Sequence, residues 1–144
     1  MHQNIQKQPL HEQNIKLFQQ GIDEQYKAIE YYGELKKRME DSEVSILVEQ
    51  IQKDKMKHLK ILQEIHRFYT GTTHQPLVHE PLICKENNME EIEKSLFREG
   101  ENLKFYRSIY FGSTYPPVRD RLYDILSDIS QHTTCLTYLY AKIK

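Results

Sequence analysis

The sequence contains no tryptophan, only two cysteines, and five each of glycine and proline. Two cysteines without close spacing do not make the disulfide framework of a small secreted domain, and they are typical of a reducing compartment. No segment approaches the ~20 consecutive apolar residues that span a bilayer. The amino-terminal MHQNIQKQPL also lacks the apolar core of a signal peptide. We therefore expect a cytoplasmic protein that does not enter a membrane.

An excess of charge of one sign is also missing, because 20 Lys and Arg residues balance 21 Asp and Glu residues. A net charge of −1 gives no electrostatic reason to expect nucleic acid or an anionic membrane as a partner. A chain of 144 residues is long enough for one domain with an apolar core. We expect a single domain over residues 1–144, with a flexible segment at residues 1–10.

Four stretches of the sequence have the apolar spacing of amphipathic helices. Apolar residues recur at alternating intervals of three and four, which is the seam of a packed helical bundle. Asp41 or Ser42 can cap the second stretch, and Asn88 with Glu91 reads as a capping box before the third. No stretch of the sequence has the alternating apolar pattern of a β-strand. The predicted helices cover about residues 10–39, 42–69, 88–112 and 117–141.

The lengths of the connections predict the topology. Short connections join the first helix to the second and the third to the fourth, so each pair forms an antiparallel hairpin. The segment 70–87 has no helical period and is long enough to cross the bundle. The predicted fold class is all-α: an antiparallel four-helix bundle made of two helical hairpins joined by a long crossover loop. Three histidines in or near this loop are expected to be solvated: His66, His74 and His79.

The two predicted hairpins align with each other at a constant offset of 74 residues. The offset holds across two helices without a gap, which indicates an old duplication of one helical hairpin. Packing the copies face to face would bring both histidines of the repeat near a shared pseudo-twofold axis. The matching pairs are Gln25 and Glu99, Tyr32 and Tyr106, Ile51 and Ile125, Asp54 and Asp128, His58 and His132, and Leu62 and Leu136.

Polar residues interrupt the apolar seam at one level of the predicted bundle. Buried polar side chains cost several kcal/mol unless they are paired, so a cluster of them needs a cause. The five residues are Gln25, Lys55, His58, Glu99 and His132.

At this level the sequence resembles the ferritin-like superfamily, closest to its rubrerythrin and bacterioferritin-like branches. EQYKAIEYY and REGENLKFY are similar to the first and third helices of that family, and DKMKHLKILQEI and DISQHTTCLTYL to its second and fourth. In the rubrerythrin pattern a ligand Glu precedes a Tyr by seven residues, as Gln25 precedes Tyr32 and Glu99 precedes Tyr106. The resemblance covers about residues 12–141 and implies a ferritin-like fold, in which four carboxylates and two imidazoles hold two iron atoms.

Three of the four carboxylates that the resemblance implies are substituted. The first-helix Glu is Gln25, the Glu of the second-helix motif is Lys55, and that of the fourth is Ile129. Only Glu99 is kept. Because a di-iron centre needs bridging carboxylates to hold its metals ~3.5–4 Å apart, we expect the Lys55 ammonium to replace the metal beside Glu99. No cofactor is then expected.

Both imidazoles of the family pattern are kept as His58 and His132, and both aspartates as Asp54 and Asp128. The aspartates resemble outer partners that orient the ligand histidines. Two interpretations follow. The histidines are core residues satisfied by the aspartates, or His58, Glu99 and His132 hold a single iron or another divalent metal.

Two functions are compatible with these residues. The first is a non-catalytic binding or structural protein, acting through its surface as a homodimer, which the lost carboxylates favour. The alternative is an iron- or other metal-binding oxidoreductase or iron-handling protein of the oxidative-stress type, as the resemblance implies. A Cys-x-x-Cys electron-transfer module is absent from the sequence, so a complete rubrerythrin electron chain is not expected.

Overall fold

The computed structural model describes residues 12–77 and 80–144, and within them four helices and no strand. The prediction of an all-α chain with four helices is confirmed. The segment predicted to be flexible, residues 1–10, lies outside the described residues. The helices are α1 (Glu12–Lys37), α2 (Ser42–Thr70), α3 (Asn88–Gly112) and α4 (Pro116–Ile143).

Hydropathy gives none of these helices the character of a membrane span. Among the described residues, no helix is both long enough and apolar enough to cross a bilayer.

Both ends of α2 are fixed by hydrogen bonds that satisfy its terminal backbone groups. The Asp41 carboxylate accepts from the Val44 N–H at 3.1 Å. At the other end Gly71 has φ 76, and its N–H donates to the carbonyl of Arg67 at 2.8 Å. This left-handed conformation is the one that glycine adopts without a steric cost. The predicted boundaries of the second helix are therefore confirmed to within one residue.

The bounds of α3 agree with the prediction, but its N-cap residue differs by one position. Asn87, and not Asn88, is the N-cap, since its side-chain oxygen accepts from the Glu90 N–H at 2.9 Å. The Asn88 side chain instead donates to the carbonyl of Arg38 at 3.3 Å. Two adjacent asparagines have equal capping propensity, so the sequence alone does not choose between them.

Each helix packs most extensively on its hairpin partner, α1 on α2 and α3 on α4. α2 and α4 begin at Ser42 and Pro116, 74 residues apart, which is the offset of the predicted repeat. In the segment that joins the hairpins, the described residues 71–77 and 80–87 contain no helix. This segment lies alongside α1, because Asp23 accepts from the Leu77 N–H at 3.0 Å and the Arg38 guanidinium donates to the carbonyl of Glu86.

Two apolar clusters fill the interior, and a polar layer separates them. On every helix, the residues of this layer lie between those of one cluster and those of the other. Their separation is a direct consequence of the polar residues that interrupt the seam. One cluster contains Phe18, Ile22, Leu62, Ile65, Tyr106, Leu122, Ile125 and Ile129. The other contains Tyr31, Tyr32, Leu35, Val48, Ile51, Ile92, Leu136 and Leu139. The buried polar residues between them are Gln25, Lys55, His58, Glu99 and His132.

Candidate functional site

A buried ion pair between α2 and α3 is the centre of the polar layer. The Lys55 Nζ donates to the Glu99 Oε1 at 2.5 Å, and the two side chains are 0% and 1% exposed. Within the described residues the backbones of α2 and α3 do not pack against each other. The long stem of Lys55 therefore carries its ammonium across the interior of the bundle.

His132 on α4 joins this pair to a second carboxylate. Its Nδ1 contacts the Glu99 Oε2 at 2.9 Å, and its Nε2 contacts the Asp54 Oδ2 at 2.8 Å. An ionised carboxylate accepts hydrogen bonds and cannot donate them. When both acids are ionised, both ring nitrogens carry protons and the ring is an imidazolium.

The pKa of Glu99 shows which charge state the site favours. Burial by itself raises the pKa of this carboxyl, but the charge of Lys55 and the hydrogen bonds from His132 and Lys55 outweigh it. Together they lower the pKa of Glu99 to about 2. Asn102 adds a further hydrogen bond to the Glu99 Oε1 at 3.0 Å. The carboxylate is thus ionised and accepts from three side chains.

Four side chains form what we call the ion quartet: Lys55, Glu99, His132 and Asp54. With His132 as the imidazolium, two of them are cationic and two are anionic, so their charges cancel inside the bundle. Buried charges are tolerated when they are paired and hydrogen-bonded in this way.

The histidines pair with aspartates of the opposite hairpin. The His58 Nε2 lies 2.8 Å from the Asp128 Oδ2, as the His132 Nε2 does from Asp54, and the two imidazole centroids are 6.1 Å apart. Asp128 also accepts from the Lys57 Nζ at 2.6 Å. This reciprocal pairing is the contact expected across a pseudo-twofold axis.

His58 is neutral although it lies beside a carboxylate. Burial lowers the pKa of its imidazole to about 4, and the hydrogen bond to Asp128 opposes this only in part. The nearby Lys55 ammonium lowers the same pKa further. Because Nε2 donates to Asp128, Nδ1 is an acceptor, and among the described residues it has no hydrogen-bond partner.

The structure brings together only some of the residues that the sequence singled out. Lys55 and His132 each contact Glu99, so the predicted ammonium lies beside this carboxylate. Gln25 instead donates to the Tyr106 hydroxyl at 2.7 Å. Ile129 is fully buried in one of the apolar clusters.

The side chains at this level do not fit a metal centre. Both oxygens of Glu99 are engaged by Lys55 and His132, and the ammonium lies where a cation would bind. Over residues 12–77 and 80–144, no group of three or more His, Cys, Asp or Glu side chains is arranged to hold a metal ion. The His58, Glu99 and His132 set is therefore a prediction that would require Lys55 to leave Glu99.

A second polar cluster, at the start of the connecting segment, was not foreseen from the sequence. His66 is 3% exposed and its Nδ1 donates to the carbonyl of Thr72 at 2.9 Å. His74 contacts Asp23 at 3.0 Å. The prediction that these two histidines are solvated was wrong, and His79 lies outside the described residues. His66 follows Leu62 by four residues on the buried face of α2, and that spacing was the available signal.

Comparison with known proteins assigns no family. No protein-family model, no curated protein and no solved structure matches the chain.

Proposed function

We propose that this chain is a ferritin-like bundle in which the ion quartet replaces the di-iron centre, and that it acts as a non-catalytic binding or structural protein. The observation that carries the proposal is the Lys55 ammonium, fully buried and 2.5 Å from Glu99. A cation is needed here to balance the Glu99 carboxylate. Lys55 and the His132 imidazolium supply the positive charge that metal ions supply in the family.

The proposed topology is antiparallel with a crossover, and hydrogen bonds between the hairpins support it. Tyr31 bonds the carbonyl of Glu91, whereas Gln25, earlier in α1, bonds Tyr106, later in α3. The contacts between α2 and α4 are also those of two antiparallel helices. The connecting segment must then travel the length of the bundle, as in a ferritin-like fold.

A metal-binding function is the second candidate, and one atom favours it. The His58 Nδ1 is buried in the polar layer and has no partner within the described part of the chain. An imidazole lone pair is a metal ligand. If Lys55 turned away, Glu99 and both histidines would be available to one divalent ion.

We predict that restoring the lost carboxylates restores metal binding. The variant Gln25→Glu, Lys55→Glu, Ile129→Glu has the four carboxylates and two imidazoles of the family pattern. We expect it to bind roughly two Fe(II) or Co(II) ions per chain and to gain thermal stability with metal, because the ions offset repulsion between buried carboxylates. Elemental analysis and thermal unfolding measure both effects.

The matched control adds Glu99→Ala to the same three substitutions, which removes the one native carboxylate from the centre. We expect this control to lose the bound metal. A triple variant that folds by circular dichroism and binds no metal would refute the ferritin-like assignment of these positions.

We also propose that the protein is a homodimer that forms through α3. Phe97 and Phe111 are 68% and 67% exposed, although such side chains are normally buried. They lie 14 positions apart, about four turns of helix, and therefore on one side of α3. Exposed apolar side chains that share a helix face mark interaction sites.

A cytoplasmic compartment is proposed as well, since Cys84 and Cys135 both carry free thiols.

The α3 proposal predicts a change of oligomeric state. The double variant Phe97→Glu, Phe111→Glu would place like charges opposite each other in a twofold interface, so we expect a monomer in sedimentation velocity where the wild type is a dimer. Ile46→Glu is the control, because Ile46 is 63% exposed on α2. A wild-type monomer, or a dimer that survives the double substitution, would exclude this interface.

A further inference from the structure

Two buried acceptor atoms of the polar layer have no hydrogen-bond partner among the residues that the structure describes. They are the His58 Nδ1 and the Gln25 Oε1, and their side chains are 0% and 2% exposed. A buried polar atom without a partner costs free energy, so native structures contain few of them. Two such atoms in one layer call for an explanation.

The predicted repeat makes these two residues the counterparts of a pair that is bonded. At the offset of 74 residues, Gln25 corresponds to Glu99 and His58 to His132. In the second hairpin the His132 Nδ1 contacts the Glu99 Oε2 at 2.9 Å. The equivalent atoms of the first hairpin are the His58 Nδ1 and one end of the Gln25 amide. Two acceptors cannot bond each other, which accounts for the missing hydrogen bond.

A half-turn of the Gln25 amide supplies the missing donor. It exchanges the amide oxygen and the NH₂ group and leaves the rest of the side chain in place. The NH₂ group then stands where the unpartnered oxygen was, and the oxygen faces the Tyr106 hydroxyl. The contact with Tyr106 favours this orientation, because its length of 2.7 Å is usual for O–H···O, whereas N–H···O bonds are commonly ~2.9–3.0 Å. Tyr106 also gains a close acceptor, since its hydroxyl lies 3.5 Å from the Gly21 carbonyl.

The same hairpin contains another bond between a glutamine amide and a neutral imidazole. The His66 Nδ1 donates to the carbonyl of Thr72 at 2.9 Å, so its Nε2 is an acceptor in the neutral ring. The Gln19 Nε2 lies 3.2 Å from that nitrogen and donates to it. A glutamine of α1 thus satisfies a buried histidine of α2.

We propose that the Gln25 amide adopts the reversed orientation, donates to the His58 Nδ1 and thereby blocks metal binding in the half of the polar layer that Lys55 does not fill. A metal ion binds an imidazole through the lone pair of a ring nitrogen. His58 uses its Nε2–H for Asp128, and the Gln25 N–H takes up the lone pair of Nδ1. A glutamate at position 25 has no N–H and would leave that lone pair free.

The polar layer then excludes metal by two different groups, the Lys55 ammonium beside Glu99 and the Gln25 N–H beside His58. The hydrogen bond rests on the contacts and on the repeat, whereas its meaning as a block rests on the proposed function. It also gives a partner to the one acceptor atom that favours a metal-binding function.

A joint neutron and X-ray crystal structure of the deuterated wild type tests the orientation, because neutrons distinguish nitrogen from oxygen and locate deuterium. We expect both deuterium atoms of the Gln25 amide at the end that faces away from Tyr106, and the hydroxyl deuterium of Tyr106 directed at Gln25. Deuterium on the amide end beside Tyr106, or on the His58 Nδ1, would overturn the proposal.

NMR of ¹⁵N-labelled protein tests the hydrogen bond in solution, through the scalar coupling that an N–H···N bond transmits between its two nitrogens. We expect a cross-peak between the Gln25 Nε2 and the His58 Nδ1, and its loss in His58→Gln. The Gln19 Nε2 and the His66 Nε2 are the positive control in the same spectrum. A cross-peak for the control pair alone would overturn the bond, and the neutron structure decides if neither pair gives one. Neither measurement involves metal, so a negative result leaves the ion quartet to be judged by its own test.

Discussion

Replacing Lys55 with methionine is expected to lower the free energy of unfolding by about 3–5 kcal/mol, the range for removing one partner of a buried ion pair. Methionine keeps the length and apolar stem of lysine, so little packing is lost. The loss arises because the Glu99 carboxylate stays buried without the ammonium that it contacts at 2.5 Å. Urea denaturation followed by circular dichroism measures the change.

Two further variants test the reason for this loss. Lys55→Met with Glu99→Gln removes both charges of the pair and leaves His132 balanced by Asp54, so we expect it to be more stable than Lys55→Met alone. Lys57→Met breaks an ion pair with Asp128 at a side chain that is 50% exposed, and we expect it to cost at most about 1 kcal/mol. A Lys55→Met variant no less stable than Lys57→Met would contradict the buried pair.

The second large effect is a loss of stability in mild acid that depends on His58. Its folded-state pKa is about 4, whereas an unfolded histidine has a pKa near ~6.5. The unfolded chain therefore takes up this proton at a higher pH than the folded protein. The free energy of unfolding falls as the pH drops from about 6.5 towards 4, by about 3 kcal/mol in total at 1.36 kcal/mol per pKa unit.

His58→Gln removes this titration and keeps a side-chain N–H for Asp128. Between pH 7 and pH 5 we expect the wild type to lose about 2 kcal/mol more stability than His58→Gln does. Urea denaturation at the two pH values gives the difference. The same pH dependence in both proteins would show that His58 is not held neutral by burial.

The fold was predictable because local signals agree along the whole chain. The apolar period gives four helices, Asp41 and Gly71 mark the two ends of α2, and scarce glycine and proline leave the helices uninterrupted. The polar layer was predictable for the same reason, since Lys55 and Glu99 fall in seams that are otherwise apolar. A pairing between opposite charges at one level is then the arrangement of lowest cost.

The details that escaped prediction depend on distances that a sequence does not contain. Asp54 lies four residues before His58 on one face of α2. Each of the two side chains contacts the other hairpin, because this face of α2 is turned towards α4. Gln25 was placed with the ion pair, but its side chain hydrogen-bonds to the Tyr106 hydroxyl at 2.7 Å. The hydrogen-bond partners of the buried His66 are the Gln19 side chain and the Thr72 carbonyl, and the spacing of α2 does not reveal either of them.

The most direct test of the ion quartet as a replacement for metal is the metal content of the wild-type protein. The protein would be purified without a histidine tag, incubated anaerobically with Fe(II), desalted and analysed for bound elements. We predict no iron above the buffer level, because Lys55 and His132 already neutralise Glu99 and Asp54. Roughly one or two iron atoms per chain, lost on His132→Ala, would contradict the account and show that Lys55 gives way to metal.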